Sequence, residues 1–133
     1  MSLHFKGGGG GLLVSVYADV HLILVTSLHS LGLRVYGISN ATHAADRTAT
    51  FAVGFDRRHP YSNPDVLTQH LATSEKIYCT SGNHYCTFWA DSMGDAHGLD
   101  DCNGATRLGF LHYNTDAEVE GVLAALERCA GMG

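Results

Sequence analysis

The chain has 133 residues, a formal net charge of −5 and charged side chains at only 16% of its positions. This length is that of a single domain with one core, and the acidic balance argues against a nucleic-acid surface, which needs clustered lysine and arginine. The four cysteines form no C-x-x-C pair, so reduced thiols in a cytoplasmic protein are the expectation.

Residues 1–31 are expected to be a separate N-terminal segment. They include a run of five glycines, which is a flexible, low-complexity stretch with no core. In residues 12–31 apolar side chains recur at helical spacing, which predicts a helix packed on a sheet. Asp19 in the middle of this helix would cost about 2.5–3.5 kcal/mol in a bilayer, and no A-x-A cleavage site follows. Neither a membrane span nor a signal peptide is therefore expected.

The middle of the chain predicts short strands around one helix with a clear start. Strands are expected at 33–38, 48–55 and 77–80, which are short apolar runs bounded by turn residues. A helix is expected over residues 64–73. It begins at Asn63-Pro64-Asp65, because asparagine caps the first turn, proline suits the first helical position and the acid complements the helix dipole.

The C-terminal stretch predicts a strand, a capped turn and a helix. Apolar residues alternate over 106–112, which indicates a half-buried strand. Thr115 stands three residues before Glu118, the spacing of a capping box, and apolar residues then recur at helical spacing over 116–129. Arg107 does not fit this packing scheme, since it places a permanent charge in the middle of the strand.

These elements predict an α+β fold in which a small, mostly antiparallel sheet carries its helices on one face. The strand residues expected to face the helices are Phe51, Val53, Phe55, Leu108 and Phe110. Because side chains alternate along a strand, Arg107 and Gly109 are expected on the opposite face.

Arg107, followed by Tyr113-Asn114-Thr115 and the pair Glu118-Val119, resembles the C-terminal end of the class V aminotransferases. That family includes the cysteine desulfurases and their relatives, which are pyridoxal-phosphate enzymes. The resemblance continues upstream through 34–37, 47–53 and 82–86. It covers residues 32–133 and implies the C-terminal small domain of the fold-type I transferases, with residues 1–31 unmatched.

The resemblance implies specific roles for two residues. In the family the strand arginine binds the α-carboxylate of an amino-acid substrate, which implies that role for Arg107. The loop at 82–86 is similar to the loop that carries the persulfide cysteine in some desulfurases, and it implies that His84 lines the substrate site. Tyr85 stands where the family has its cysteine, and Cys86 falls one residue later, so no role is expected for that thiol.

The cofactor implied for the complete enzyme is pyridoxal phosphate, which needs a lysine for its Schiff base. The family carries this lysine in its large domain. Lys6, in Ser2-Leu-His-Phe-Lys6-Gly, only faintly echoes the family motif. We therefore expect no covalently bound cofactor, no activity of this chain alone, and a truncated or independently expressed domain. Its expected partners are an amino-acid substrate and either a large domain or a second copy.

Two alternatives from other functional classes remain. The first is a non-catalytic interaction domain that uses the uncovered sheet face to bind a protein partner or another copy. The second is a small zinc module built from Cys79, His84, Cys86, His97 and Cys102. The spacing of these residues lacks the tight ligand pairs typical of structural zinc sites, so no metal ligand is predicted.

Overall fold

The computed structural model of the chain describes residues 32–37, 43, 48–86, 92, 104–111 and 113–133. Within these residues the chain forms four strands and two α-helices. They are β1 (Leu33–Tyr36), β2 (Thr50–Phe55), α1 (Pro64–His70), β3 (Thr80–Gly82), β4 (Ala105–Gly109) and α2 (Asp116–Ala130), with a π-helical turn (Leu71–Glu75) extending α1. The helix expected at 12–31 lies outside the described residues, and no helix within them has the length and apolar character to cross a membrane.

The four strands form one sheet in the order β1-β2-β4-β3, and every neighbouring pair is antiparallel. The register places Phe51 opposite Leu108 on the central pair of strands. It also places Val35 opposite Val53 at the outer pair. Large apolar residues of adjacent strands therefore meet on one face, and the predicted α+β fold with an antiparallel sheet is confirmed.

The core lies between this apolar sheet face and the two helices. All five strand residues predicted to face the helices are buried, with exposed fractions of 8% or less. The helices contribute Leu67, Leu71, Val119, Leu123, Leu126 and Cys129 to the same cluster. Phe51 and Phe110 meet edge to face with their ring centroids 6.1 Å apart, a preferred aromatic geometry. Burial of each such side chain contributes about 1.5–3 kcal/mol.

The first helix starts as predicted but ends later and differently. The side chain of Asn63 accepts a hydrogen bond from the Asp65 amide at 2.9 Å, and Pro64 occupies the first turn. Beyond His70 the chain continues through the π-helical turn to Glu75. Lys76 then adopts a left-handed conformation with φ of 59°, which ends the helical segment.

Two strand predictions were partly wrong. The strand expected at 77–80 lies at Thr80–Gly82, because the amide of Ile77 caps the helical segment by donating to the Leu71 carbonyl at 3.0 Å. The strand expected at 106–112 ends at Gly109. There the Leu111 amide donates to the Asn114 side chain at 2.7 Å, and this turn closes the strand.

The second helix carries the predicted capping box. The Thr115 hydroxyl accepts from the Glu118 amide at 3.3 Å, and the Glu118 carboxylate accepts from the Thr115 amide at 2.7 Å. Near its other end Arg128 forms a two-bond ion pair with Glu75 on the π-helical turn, its shorter N–O distance being 2.6 Å. This pair ties the two helical segments together at the surface.

Candidate functional site

The sheet face opposite the core, here called the arginine face, differs from the apolar face in residue size. Strand alternation and the observed register assign ten residues to it. They are Arg34, Tyr36, Thr50, Ala52, Gly54, Thr80, Gly82, Ala105, Arg107 and Gly109. Apart from one tyrosine and two arginines, these side chains are small. The two arginines therefore stand on a face of mostly short side chains.

Arg107 lies in the middle of β4 and is exposed. Its cross-strand neighbours are Ala52 on β2 and Thr80 on β3, and neither carries a charge. Among the residues that the structure describes, no carboxylate forms an ion pair with Arg107. The guanidinium therefore retains its planar set of donors, which match a carboxylate through two parallel bonds.

Arg34 shares the same face but is engaged in the fold. Its Nε donates to the carboxylate of Asp56, one residue beyond the end of β2. Gly54 lies opposite Arg34, and a Cβ built on that glycine would come within 2.7 Å of the Tyr36 hydroxyl oxygen. The tyrosine ring therefore covers the strand at this point and needs glycine beneath it.

His84 lies in the turn that follows β3 and contacts the start of β4. Its Nε2 is 3.2 Å from the carbonyl oxygen of Ala105, so this nitrogen carries a proton and donates. Ala105 precedes Arg107 by two residues on the same strand and face. Both predicted site residues are thus tied to β4. Arg107 is part of the strand, and the His84 ring bonds to the strand's backbone at Ala105.

The turn around His84 has an unusual backbone. The amide of Cys86 donates to the Asn83 carbonyl at 2.8 Å, and φ is 50° at His84 and 65° at Tyr85. Two successive left-handed residues define a type I′ turn, which glycine and asparagine usually fill. The Asn83 side chain supports the turn by accepting from the Tyr85 amide at 3.0 Å.

The thiols of the described residues are not arranged for nucleophilic or metal chemistry. Burial raises the pKa of Cys79 and that of Cys129, which lowers the thiolate fraction that a nucleophile requires. Cys86 is exposed. No group of three or more histidine, cysteine or acidic residues in the described part of the chain is placed to hold a metal. His97 and Cys102 lie outside the described residues.

The sequence offered Arg107 and His84 as candidate site residues but did not predict what surrounds them. The small residues at 50, 52 and 54 alternate with large apolar ones, and that pattern was the available signal for a low sheet face. The packing of β3 against β4 also depends on Gly104, where φ is 95° and an added Cβ would overlap the Gly82 carbonyl. No local sequence pattern predicts the contact between Gly104 and Gly82.

No protein-family model matches this chain, and no curated protein matches it. The resemblance to class V aminotransferases therefore depends on the residues quoted above.

Proposed function

We propose that this chain is the substrate-carboxylate-binding C-terminal domain of a pyridoxal-phosphate enzyme of the class V aminotransferase or cysteine desulfurase-like type. The observation that carries the proposal is the placement of Arg107. It is an exposed strand arginine on the sheet face opposite the two described helices, and no described carboxylate pairs with it. Such an arginine is available to an external carboxylate.

The contrast with Arg34 supports a binding role. Arg34 has Asp56 as its partner, so the fold already explains that residue. The cross-strand neighbours of Arg107 are the small, uncharged residues Ala52 and Thr80. A charge-assisted bond from such a group to a substrate carboxylate contributes about 1.5–3 kcal/mol.

The cofactor belongs, in this proposal, to a partner large domain. Lys76 is the lysine of the described residues, and its Nζ donates to the Thr73 carbonyl at 2.7 Å. It directly follows the π-helical turn and lies outside the four strands that form the arginine face. The described residues therefore do not fit a covalently bound pyridoxal phosphate, and we assign no step of the cofactor's chemistry to them.

A complementation experiment tests the proposal. A cysteine desulfurase large domain, prepared without its own C-terminal domain and loaded with cofactor, is mixed with this chain and assayed with L-amino acids. We expect the chain to restore turnover, Arg107→Ala to remove it, and Arg34→Ala to retain it. Absence of turnover with the unmodified chain would contradict the proposal. A stable complex without turnover would favour the non-catalytic interaction domain instead.

A further inference from the structure

A groove of about 550 Å³ lies at the end of β4, between the segment 75–79 and α2. Its apolar walls are formed by Ile77, Cys79, Leu108, Phe110 and Val122. Neither Arg107 nor His84 lines it, so it is separate from the proposed carboxylate site and independent of the proposed function.

The groove exists because β3 does not run the full length of β4. The pair of Thr80 with Arg107 is the last in their ladder. Continued pairing would place Tyr78 opposite Gly109. Instead, residues 77–79 form no strand, and Tyr78 is 83% exposed. One strand position beside β4 is therefore left open.

The backbone of Gly109 faces this opening. The Phe110 amide donates to the Ala49 carbonyl at 2.8 Å, which means that residue 110 forms its ladder bonds with β2. Hydrogen-bonding direction alternates along an antiparallel strand, so the N–H and C=O of Gly109 point away from β2 and into the groove. Leu111 is the next residue whose backbone faces away from β2. It offers no free hydrogen-bonding group, because its amide and carbonyl both bond to Asn114.

All four charged side chains that line the groove already have partners. Glu75 bonds to Arg128, Lys76 donates to the Thr73 carbonyl, and Glu118 accepts from the Thr115 amide. Two acids and two bases also sum to zero formal charge. Only Glu75 and Arg128 form an ion pair, but the lining as a whole has no net charge that would attract an acidic or a basic occupant. The backbone groups of Gly109 have no hydrogen-bond partner among the described residues.

The groove also has room for a side chain next to α2. Gly121 lines it, and a Cβ built on this glycine meets no atom within 4 Å. Val122 and the end of β4 line the same groove. The available chemistry is thus one extended backbone position beside a partly apolar slot whose charged side chains sum to zero formal charge.

We propose that this groove binds an extended, uncharged peptide segment of a partner protein. One residue of the segment adds to the β4 edge through two hydrogen bonds with Gly109, in the manner of strand addition. An adjacent apolar side chain fills the space over Gly121. The charge neutrality of the lining selects against acidic and basic segments.

Two pairs of matched variants test this site. Gly109→Pro removes the N–H that faces the groove and leaves the bonds to β2 intact, because proline is tolerated where the missing amide faces an open edge. Gly109→Ala keeps the N–H, and its Cβ meets only the Thr50 hydroxyl oxygen at 4.0 Å on the arginine face. Gly121→Leu fills the groove, whereas Gly121→Ala leaves most of it open.

The probe is a short acetylated and amidated peptide of alternating threonine and leucine, titrated into the isotope-labelled full chain and followed by amide NMR shifts. We expect saturable shifts at Gly109 and Gly121 with a Kd below about 1 mM. Binding should weaken at least tenfold in Gly109→Pro and Gly121→Leu and remain within about twofold in the alanine variants. The same peptide with glutamate or lysine in place of threonine should bind at least tenfold more weakly.

Unchanged spectra of the variants without peptide establish that each one is folded. Absence of saturable shifts at these glycines would overturn the proposal. Equal affinity of Gly109→Pro and Gly109→Ala would overturn it as well, because the backbone bond would then carry no binding. Preferred binding of the charged peptides would contradict the neutral segment proposed here.

Discussion

The two faces of the sheet differ in the size and burial of their side chains, and β2 shows the difference within its six residues. Phe51, Val53 and Phe55 are each fully buried against the helices. The alternate positions on the same strand carry threonine, alanine and glycine, beside an arginine that has no described ion-pair partner. Burial of large apolar groups on one face stabilises the fold, whereas the other face carries the exposed Arg107. The difference predicts that substitutions on the two faces affect different measurements.

The largest expected effect is on the apolar face. Phe51→Ala should lower the free energy of unfolding by about 3–5 kcal/mol, because it removes a fully buried ring that packs edge to face on Phe110. Urea denaturation of the full chain measures the loss. Ala52→Ser, the next residue on the other face, is the control and should change the value by less than about 0.5 kcal/mol. Equal losses would remove the distinction between the faces.

A smaller effect is expected at the start of α2. Thr115→Ala removes the hydroxyl that accepts from the Glu118 amide, and loss of such a cap costs about 1 kcal/mol. Thr73→Ala is a matched control, since its hydroxyl bonds back only to the Gln69 and His70 carbonyls within the helical segment. Denaturation curves that rank Thr73→Ala as the more damaging variant would contradict the capping account.

The free energy of unfolding should depend on pH through two surface carboxylates, those of Glu75 and Glu118. Hydrogen bonds from Arg128 lower the pKa of Glu75, and the backbone bond from Thr115 lowers the pKa of Glu118. Because both pKa values are lower in the folded state, their contribution is complete above the usual glutamate pKa of about 4.3. It is lost as the pH falls through the folded values. Denaturation between neutral pH and pH 3 should show a shallower decline for Glu75→Gln combined with Glu118→Gln, and an unchanged decline would exclude this linkage.

The sequence predicted the features that depend on local pattern. Alternation identified the five buried strand residues, and the spacing of Thr115 and Glu118 predicted the cap that the structure contains. The failures concern competition between neighbouring segments. The apolar run at 77–80 has the composition of a strand. Its first residue, Ile77, instead caps the helical segment together with Lys76, so the strand begins later. Likewise, the Asn114 side chain ended β4 early by bonding to the Leu111 amide.

The candidate site was predictable only in part. A charged residue at mid-strand drew attention to Arg107, and its place on the sheet face opposite the described helices followed from alternation alone. The partner of Arg34 was not predictable, because Asp56 reaches it across the β1–β2 register. The groove beside Gly109 was likewise hidden, since it arises from the departure of β3 from β4. The periodicity within a helix or strand can be read from a single sequence, whereas contacts between separate elements cannot.

The most direct measurement compares Arg107→Lys with Arg34→Lys in the enzyme reconstituted from this chain and a cofactor-loaded large domain. Lysine keeps the charge at position 107 but loses the planar fork. At about 1.5–3 kcal/mol for such a bond, kcat/KM for the amino acid should fall roughly ten- to a hundredfold. The melting temperature should be unchanged, and Arg34→Lys should leave kcat/KM unaltered. A lower melting temperature for Arg107→Lys together with an undiminished kcat/KM would contradict the binding role of the arginine face.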